Sequence, residues 1–238
     1  MSYVKTMQSF GKLKGICTGL GGAYKPGQQN LQVKALTTLQ FNAQQVMDEI
    51  IMAKTAYDNI TNQRELAFRD VRSLGSRICY LLRASGANPL TLADAVASNR
   101  KLNGRLKYRA PEPRSAEGEE PKAIGRSRSA GFVSQAHYFA QLVETASAEP
   151  KYHPTEQELS VEGLEQKVLS MRSLNESAMK AEQRLAGLRK QRKSIFYDNE
   201  DSLVNTAKAV RSYVRGVFGF NSVPHEELKK VSVTKRNV

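Results

Sequence analysis

The chain has 238 residues, 40% of them apolar and none tryptophan, with 36 Lys+Arg against 23 Asp+Glu for a formal net charge of +13. That length is enough for a good core, as one long domain or two similar ones. Its apolar stretches are too short and interrupted to span a bilayer, and the opening Met-Ser-Tyr-Val-Lys-Thr lacks the apolar stretch of a signal peptide. The charge favours an acidic partner (nucleic acid, an anionic membrane surface or an acidic protein), although excess charge also simply keeps helical proteins soluble.

In chain order, Tyr3, Met7, Phe10, Leu13 and Cys17 predict a short first helix, weakened toward its end by Gly15, Gly19, Gly21 and Gly22. These glycines read as a loop rather than a phosphate cradle, since no strand precedes them and no Gly-Lys-Ser/Thr follows. Tyr24-Lys25-Pro26 separates that helix from a long element. From Leu36 through Leu39, Ala43, Val46, Ile50, Ala53, Tyr57, Ile60, Arg64, Ala67, Val71, Leu74 and Ile78 to Leu81, apolar or small residues recur every three or four positions. This heptad seam predicts long helices packed side by side. A single helix of about 50 residues would be about 75 Å long. The polar cluster Asp58, Asn59, Thr61 and Asn62 offers a turn instead, but the seam keeps its phase across it, so the long, kinked helix is preferred. Gly86 predicts a left-handed stop, and Thr91-x-x-Asp94 a capping box for a short helix to about Lys101.

Residues 104–130 change character. Pro111, Pro113, Pro121, Glu117, Glu119, Glu120 and Arg-Ser-Arg-Ser at 126–129 read as a flexible, basic, proline-rich linker. With Arg100, Lys101, Arg105, Lys107 and Arg109 ahead of it, the linker could also serve as a basic arm. Beyond it the pattern repeats. Phe132, Ala136, Phe139, Leu142 and Ala146 lead to Tyr152-His153-Pro154, as Tyr3 to Cys17 led to Tyr24-Lys25-Pro26. Leu36, Ala43, Val46 and Ile50 then fall on Leu164, Met171, Leu174 and Ala178, and Arg64, Phe68 and Asp70 on Arg192, Phe196 and Asp198. Gly86-Ala87-Asn88 meets Gly219-Phe220-Asn221. Residues 1–103 and 131–238 therefore read as two copies of one helical unit, with Tyr24, Pro26, Phe68, Tyr152, Pro154 and Phe196 as repeated packing anchors. Arg64 and Arg192 stand where the seam expects an apolar side chain. They mark either a polar layer that fixes register or, the preferred reading, a place where the seam opens to water.

Little in the chain points to catalysis. His137, His153 and His225 lie far apart and in no metal-binding spacing. Ser9-Phe10-Gly11-Lys12 matches a Ser-x-x-Lys pattern whose companion motifs are missing. No general acid–base pair stands out, and Cys17 and Cys79 read as buried, reduced thiols of a cytosolic protein. No cofactor, metal site or small-molecule substrate is expected. Two basic features remain: the cluster Arg189, Lys190, Arg192 and Lys193, and the stripe Lys208, Arg211 and Arg215 at i, i+3 and i+7. Both are either solvated helix faces or contacts to the phosphates of an anionic partner.

Tyr-x-Pro before each long element, Arg-Lys-x-x-Gly at 100–104, Tyr213-x-x-x-Val217-Phe218-Gly219 and a terminal Glu-Leu-Lys-Lys-Val segment are a familiar set. With them the chain resembles a group of bacterial all-helical proteins of about this length that have no established activity. The resemblance implies a cytoplasmic, bacterial, helical protein and supplies no site. The expectation is thus an all-α protein, an elongated antiparallel helical bundle built from two tandem copies with approximate twofold symmetry. Its expected role is non-enzymatic, a structural or scaffolding protein that self-associates as a homo-oligomer or binds a partner. Nucleic-acid association through the basic faces and the linker is the alternative, and peripheral membrane binding comes third.

Overall fold

A computed structural model describes residues 2–104 and 131–234. Among them the chain forms eight α-helices and no strand: α1 (Tyr3–Gly19), α2 (Val33–Phe68), α3 (Val71–Ala84), α4 (Pro89–Leu102), α5 (Phe132–Ser147), α6 (Val161–Lys193), α7 (Leu203–Phe218) and α8 (Val223–Lys230). The fold is all-helical, as expected. Residues 105–130, including Arg105, Lys107, Arg109 and the Arg-Ser-Arg-Ser run, lie outside the described residues.

The helix boundaries follow from local chemistry. Ser2 caps α1 by accepting from the Lys5 amide, and the helix buries Thr6, Phe10, Leu13 and Cys17 along one face. After α1 the Tyr24 hydroxyl donates to the Leu31 carbonyl at 2.8 Å, closing the Pro26 loop. Tyr152 makes the matching bond to Leu159 at 2.9 Å after α5. These buried phenols explain why the Tyr-x-Pro mark occurs twice: the ring packs into the core while its hydroxyl satisfies a loop carbonyl that would otherwise be buried unpaired.

The long elements are shorter than the seam predicts. At 36 residues, α2 is about 54 Å long and stays helical through Asp58–Asn62. The chain breaks instead at Arg69–Asp70, just after the buried Phe68. In the second half, α6 ends at Lys193 and continues as one π-helical stretch, Ser194–Asp198, before the chain breaks at 199–202. The seam keeps its phase across the break because Ala67 and Phe68 at the end of α2 pack into one core with Val71, Leu74 and Ile78 of α3. Hydrophobic phase reports which side is apolar, not where the backbone ladder stops.

Gly86 takes a φ of +70°, and the Ala87 amide donates back to the Leu82 carbonyl at 3.1 Å, a Schellman stop for α3. The cap of α4 is Asn88, which accepts from the Leu90 amide at 2.9 Å with Pro89 in the first turn. The expected capping box at Thr91 therefore falls inside the helix, one turn too late. Proline at the first position suits a helix start, and its fixed φ moves the boundary upstream of the box.

The described chain divides into two compact units, and they cut across the two copies. Of the described residues, the first unit takes 2–57 and 181–234, and the second takes 58–104 and 131–180. The first is built around Phe10, Leu13, Leu36, Phe196, Leu203, Val210, Val214 and Leu228, so it joins the front of copy one to the back of copy two. The second gathers Phe68, Ile78, Leu82, Leu102, Phe139, Leu142, Leu164 and Met171, the back of copy one and the front of copy two. Phe10, Phe139 and Phe196 are fully buried, each of a kind whose truncation to Ala costs about 3–5 kcal/mol. The surface ion pairs Arg77–Glu158 and Lys167–Asp70, both 2.7 Å, lie in the second unit and contribute at most about 1 kcal/mol each.

Candidate functional site

The basic cluster on α6 does not act as one patch. Arg189 and Lys190 are exposed, and Lys193 pairs with Asp198 at 3.5 Å. Arg192 is half-buried. Its guanidinium carbon lies 3.9 Å from the centre of the Tyr3 ring, which Phe196 meets edge-on at 5.1 Å. In the second unit Arg64 stacks over Phe132 at 4.4 Å, with Phe68 edge-on to the same ring at 5.0 Å. Neither arginine opens the seam to water, contrary to the preferred expectation. Each lays its weakly hydrated plane on an aromatic face, which permits a cation at a seam position. The sequence carried this signal in Arg-x-x-x-Phe at 64–68 and 192–196, and in an aromatic opening the first helix of each copy. Only the fold shows that each arginine uses the other copy's ring.

The α7 stripe divides in the same way. Lys208 and Arg215 are exposed, and Arg215 lies 4.9 Å from the Phe220 ring centre. Arg211, between them, is half-buried and donates to the Val231 carbonyl, tying α7 to the segment after α8. Burial lowers its guanidinium pKa from the ordinary value. The outward cations of the expected set are thus Arg189, Lys190, Lys193, Lys208 and Arg215, while Arg192 and Arg211 hold the fold. Of the packing anchors, Tyr24, Pro26, Phe68, Tyr152 and Phe196 are buried and Pro154 is half-buried.

Charge is unevenly spread. The described residues of the first unit hold sixteen Lys and Arg against eight Asp and Glu, whereas the second unit holds eleven of each. The excess therefore belongs to the unit that carries the outward cations.

The histidines are placed separately. His153 is exposed. His225 is buried on α8, with its Nδ1 2.6 Å from the Phe220 carbonyl. His137 lines an open groove of about 760 Å³ between α4, α5 and α6, together with Asp94, Lys101, Glu144, Glu165 and Arg172. That groove mixes charge of both signs over an apolar floor of Ala140, Val143 and Val168. Among the described residues no group of three His, Cys, Asp or Glu could hold a metal ion, and no helix is long and apolar enough to cross a membrane. Cys17 and Cys79 are buried, and burial pushes both thiols up, away from the reactive thiolate.

The surface carries one feature that sequence reading missed. Large apolar side chains stand exposed at matching positions of the two copies: Val4 and Val133, Phe41 and Leu169, Ile51 and Met179, Leu90 and Val223. Leu90 and Val223, each in the first turn of its helix, are 76% and 73% exposed. A single exposed apolar residue is ordinary. Eight of the large exposed apolar side chains fall into such pairs, while Met52, Leu66, Tyr80, Val217 and Phe220 are exposed without a match. Compared with protein families, with curated proteins and with solved structures, the chain matches none.

Proposed function

We propose that this chain is a non-enzymatic helical scaffold that self-associates, built as two tandem copies in antiparallel arrangement and working in the bacterial cytoplasm. The four matched pairs of exposed apolar residues carry this reading. Each such side chain gains about 1.5–3 kcal/mol when fully covered, and both copies offer such side chains to a neighbour. Exposed apolar side chains suit assembly, because a neighbouring copy can cover them.

The test is the mass distribution of the purified protein across a wide concentration range, by light scattering and sedimentation. Higher-order species should grow with concentration, and the variant Phe41→Gln/Leu169→Gln/Leu90→Gln/Val223→Gln should remain monomeric and folded. A wild-type chain that stays monomeric at high concentration, with no polymer in negative stain, refutes the proposal.

The concentration of positive charge in the first unit favours a second reading, a nucleic-acid-associated protein whose outward cations contact phosphates. Such binding weakens steeply with salt. Replacing Arg189, Lys190, Lys208 and Arg215 with Gln should abolish retention of DNA at low salt and flatten its salt slope. Unchanged retention removes these residues from that reading.

A further inference from the structure

The two copies are interlocked. Copy one presents its opening aromatic, Tyr3, to Arg192 and Phe196 of copy two, at 3.9 and 5.1 Å. Copy two presents Phe132 to Arg64 and Phe68 of copy one, at 4.4 and 5.0 Å. The chemistry is the same in both directions, a guanidinium on the face of a ring and a phenylalanine against it. Each compact unit is completed by the other copy, and neither copy closes a core alone. This is the logic of an isologous dimer interface, in which a surface and its complement are both present on one protomer.

The path from copy one to copy two leaves α4 and enters α5 inside the second unit. These helices lie antiparallel. The Asn88 amide donates to the Glu149 carboxylate at the start of α4, and Lys101 near its end stands over the ring of Tyr138, near the start of α5, at 5.7 Å. The two ends to be joined are therefore neighbours, yet 26 residues separate Gly104 from Gly131. Covalent geometry alone lets that many residues span up to about 90 Å, while an antiparallel helix pair is commonly joined by about 2–5. The connection imposes no requirement that the copy completing each unit come from the same chain.

We infer that a second copy of this chain is a partner of the interlock itself: two chains can trade copies, so that copy one of each closes its units with copy two of the other. The route deepens the self-association reading and rests on it only in naming the same partner. It buries no new surface. The traded state repeats every contact of the closed chain, and the two states differ by connectivity and concentration.

Two experiments on the whole chain decide it. Deleting residues 104–131 joins Asn103 directly to Phe132 and leaves α4 and α5 no turn with which to fold back on each other. The variant should be a dimer of twice its chain mass that survives dilution and keeps its helical circular dichroism. The second experiment co-refolds tagged and untagged full-length chains from denaturant at about 100 µM; against a tether worth about 1 mM of effective concentration, roughly a tenth of the chains should trade. Untagged chain should then be retained on the tag after dilution. Chains mixed without unfolding report reversible surface association, which dilution removes, so the scaffold proposal and this one fail separately. A helical, monomeric deletion variant overturns the inference. So does co-refolding that leaves less than about a tenth of the expected retention, even where the deletion variant does not fold.

Discussion

Replacing Tyr152 with Phe removes one oxygen atom from the second unit and changes no packing volume of consequence. The ring is 3% exposed, and its hydroxyl donates to the Leu159 carbonyl at 2.9 Å. A buried hydrogen bond contributes about 0.5–1.5 kcal/mol net, and an acceptor left buried without a donor costs about 1–3 kcal/mol. The ring is otherwise unchanged, so the expected loss is about 1–2 kcal/mol. For a chain of this size that lowers Tm by about 2–8 °C. Thermal and urea unfolding followed at 222 nm measures it, with the urea slope unchanged because the same surface is exposed on unfolding. Tyr80→Phe, at a tyrosine 66% exposed, is the control and should move stability by less than about 0.5 kcal/mol. If the two units melt separately, Tyr152→Phe shifts one transition and Tyr24→Phe the other. A Tyr152→Phe protein within 0.5 kcal/mol of wild type, or a control equally destabilised, refutes the role given to these loops.

Burial pushes the Tyr152 phenol from 10.0 up to about 12, and Tyr24 shifts in the same direction for the same reason. Their contribution to stability is complete below pH 10 and is lost as pH rises toward 12, because the unfolded chain ionises first; the double Phe variant should show a shallower alkaline decline, and an identical pH profile contradicts this. Gly86→Ala should cost about 1–2 kcal/mol through its φ of +70°, since a Cβ there meets no neighbouring atom. Gly15→Ala, inside α1 and equally unobstructed, should stabilise by about 0.5–1 kcal/mol, and two effects of the same sign in urea melts would refute the backbone argument. Arg211→Gln should lower the urea midpoint without altering anion retention, whereas Lys208→Gln/Arg215→Gln should leave the midpoint in place; the reverse pattern would restore Arg211 to the outward stripe.

Much of the fold is legible in the residues themselves. The spacing of Tyr3 to Cys17 and of Phe132 to Ala146 dictates helices, Gly86 dictates a stop, and the two Tyr-x-Pro marks dictate breaks before the long elements. Each of these depends on forces within a few residues: backbone hydrogen bonding, a left-handed φ, or a proline ring. The recurrence of these local signals was legible for the same reason. The helix boundary at Asn88 was missed by three residues because two local signals competed and proline decided between them. The break after Phe68 was missed because heptad phase continues across a break when the residues on both sides of it, here Ala67, Phe68 and Val71, pack into one core.

The candidate site was less legible. Charge along a sequence marks which residues are basic, and helical spacing marks which of them share a face. Neither says that Arg192 faces Tyr3 or that Arg211 reaches Val231, since those partners lie far away in sequence. By itself the sequence determined that this protein is helical, that Gly86 stops a helix, and that similar local signals recur along the chain. Tertiary structure alone decided that the two plans are shared, each unit taking its front from one copy and its back from the other. The reason is physical: local propensity sets the shape of each helix, but a core forms wherever complementary faces meet, and in two similar copies each face has more than one eligible partner.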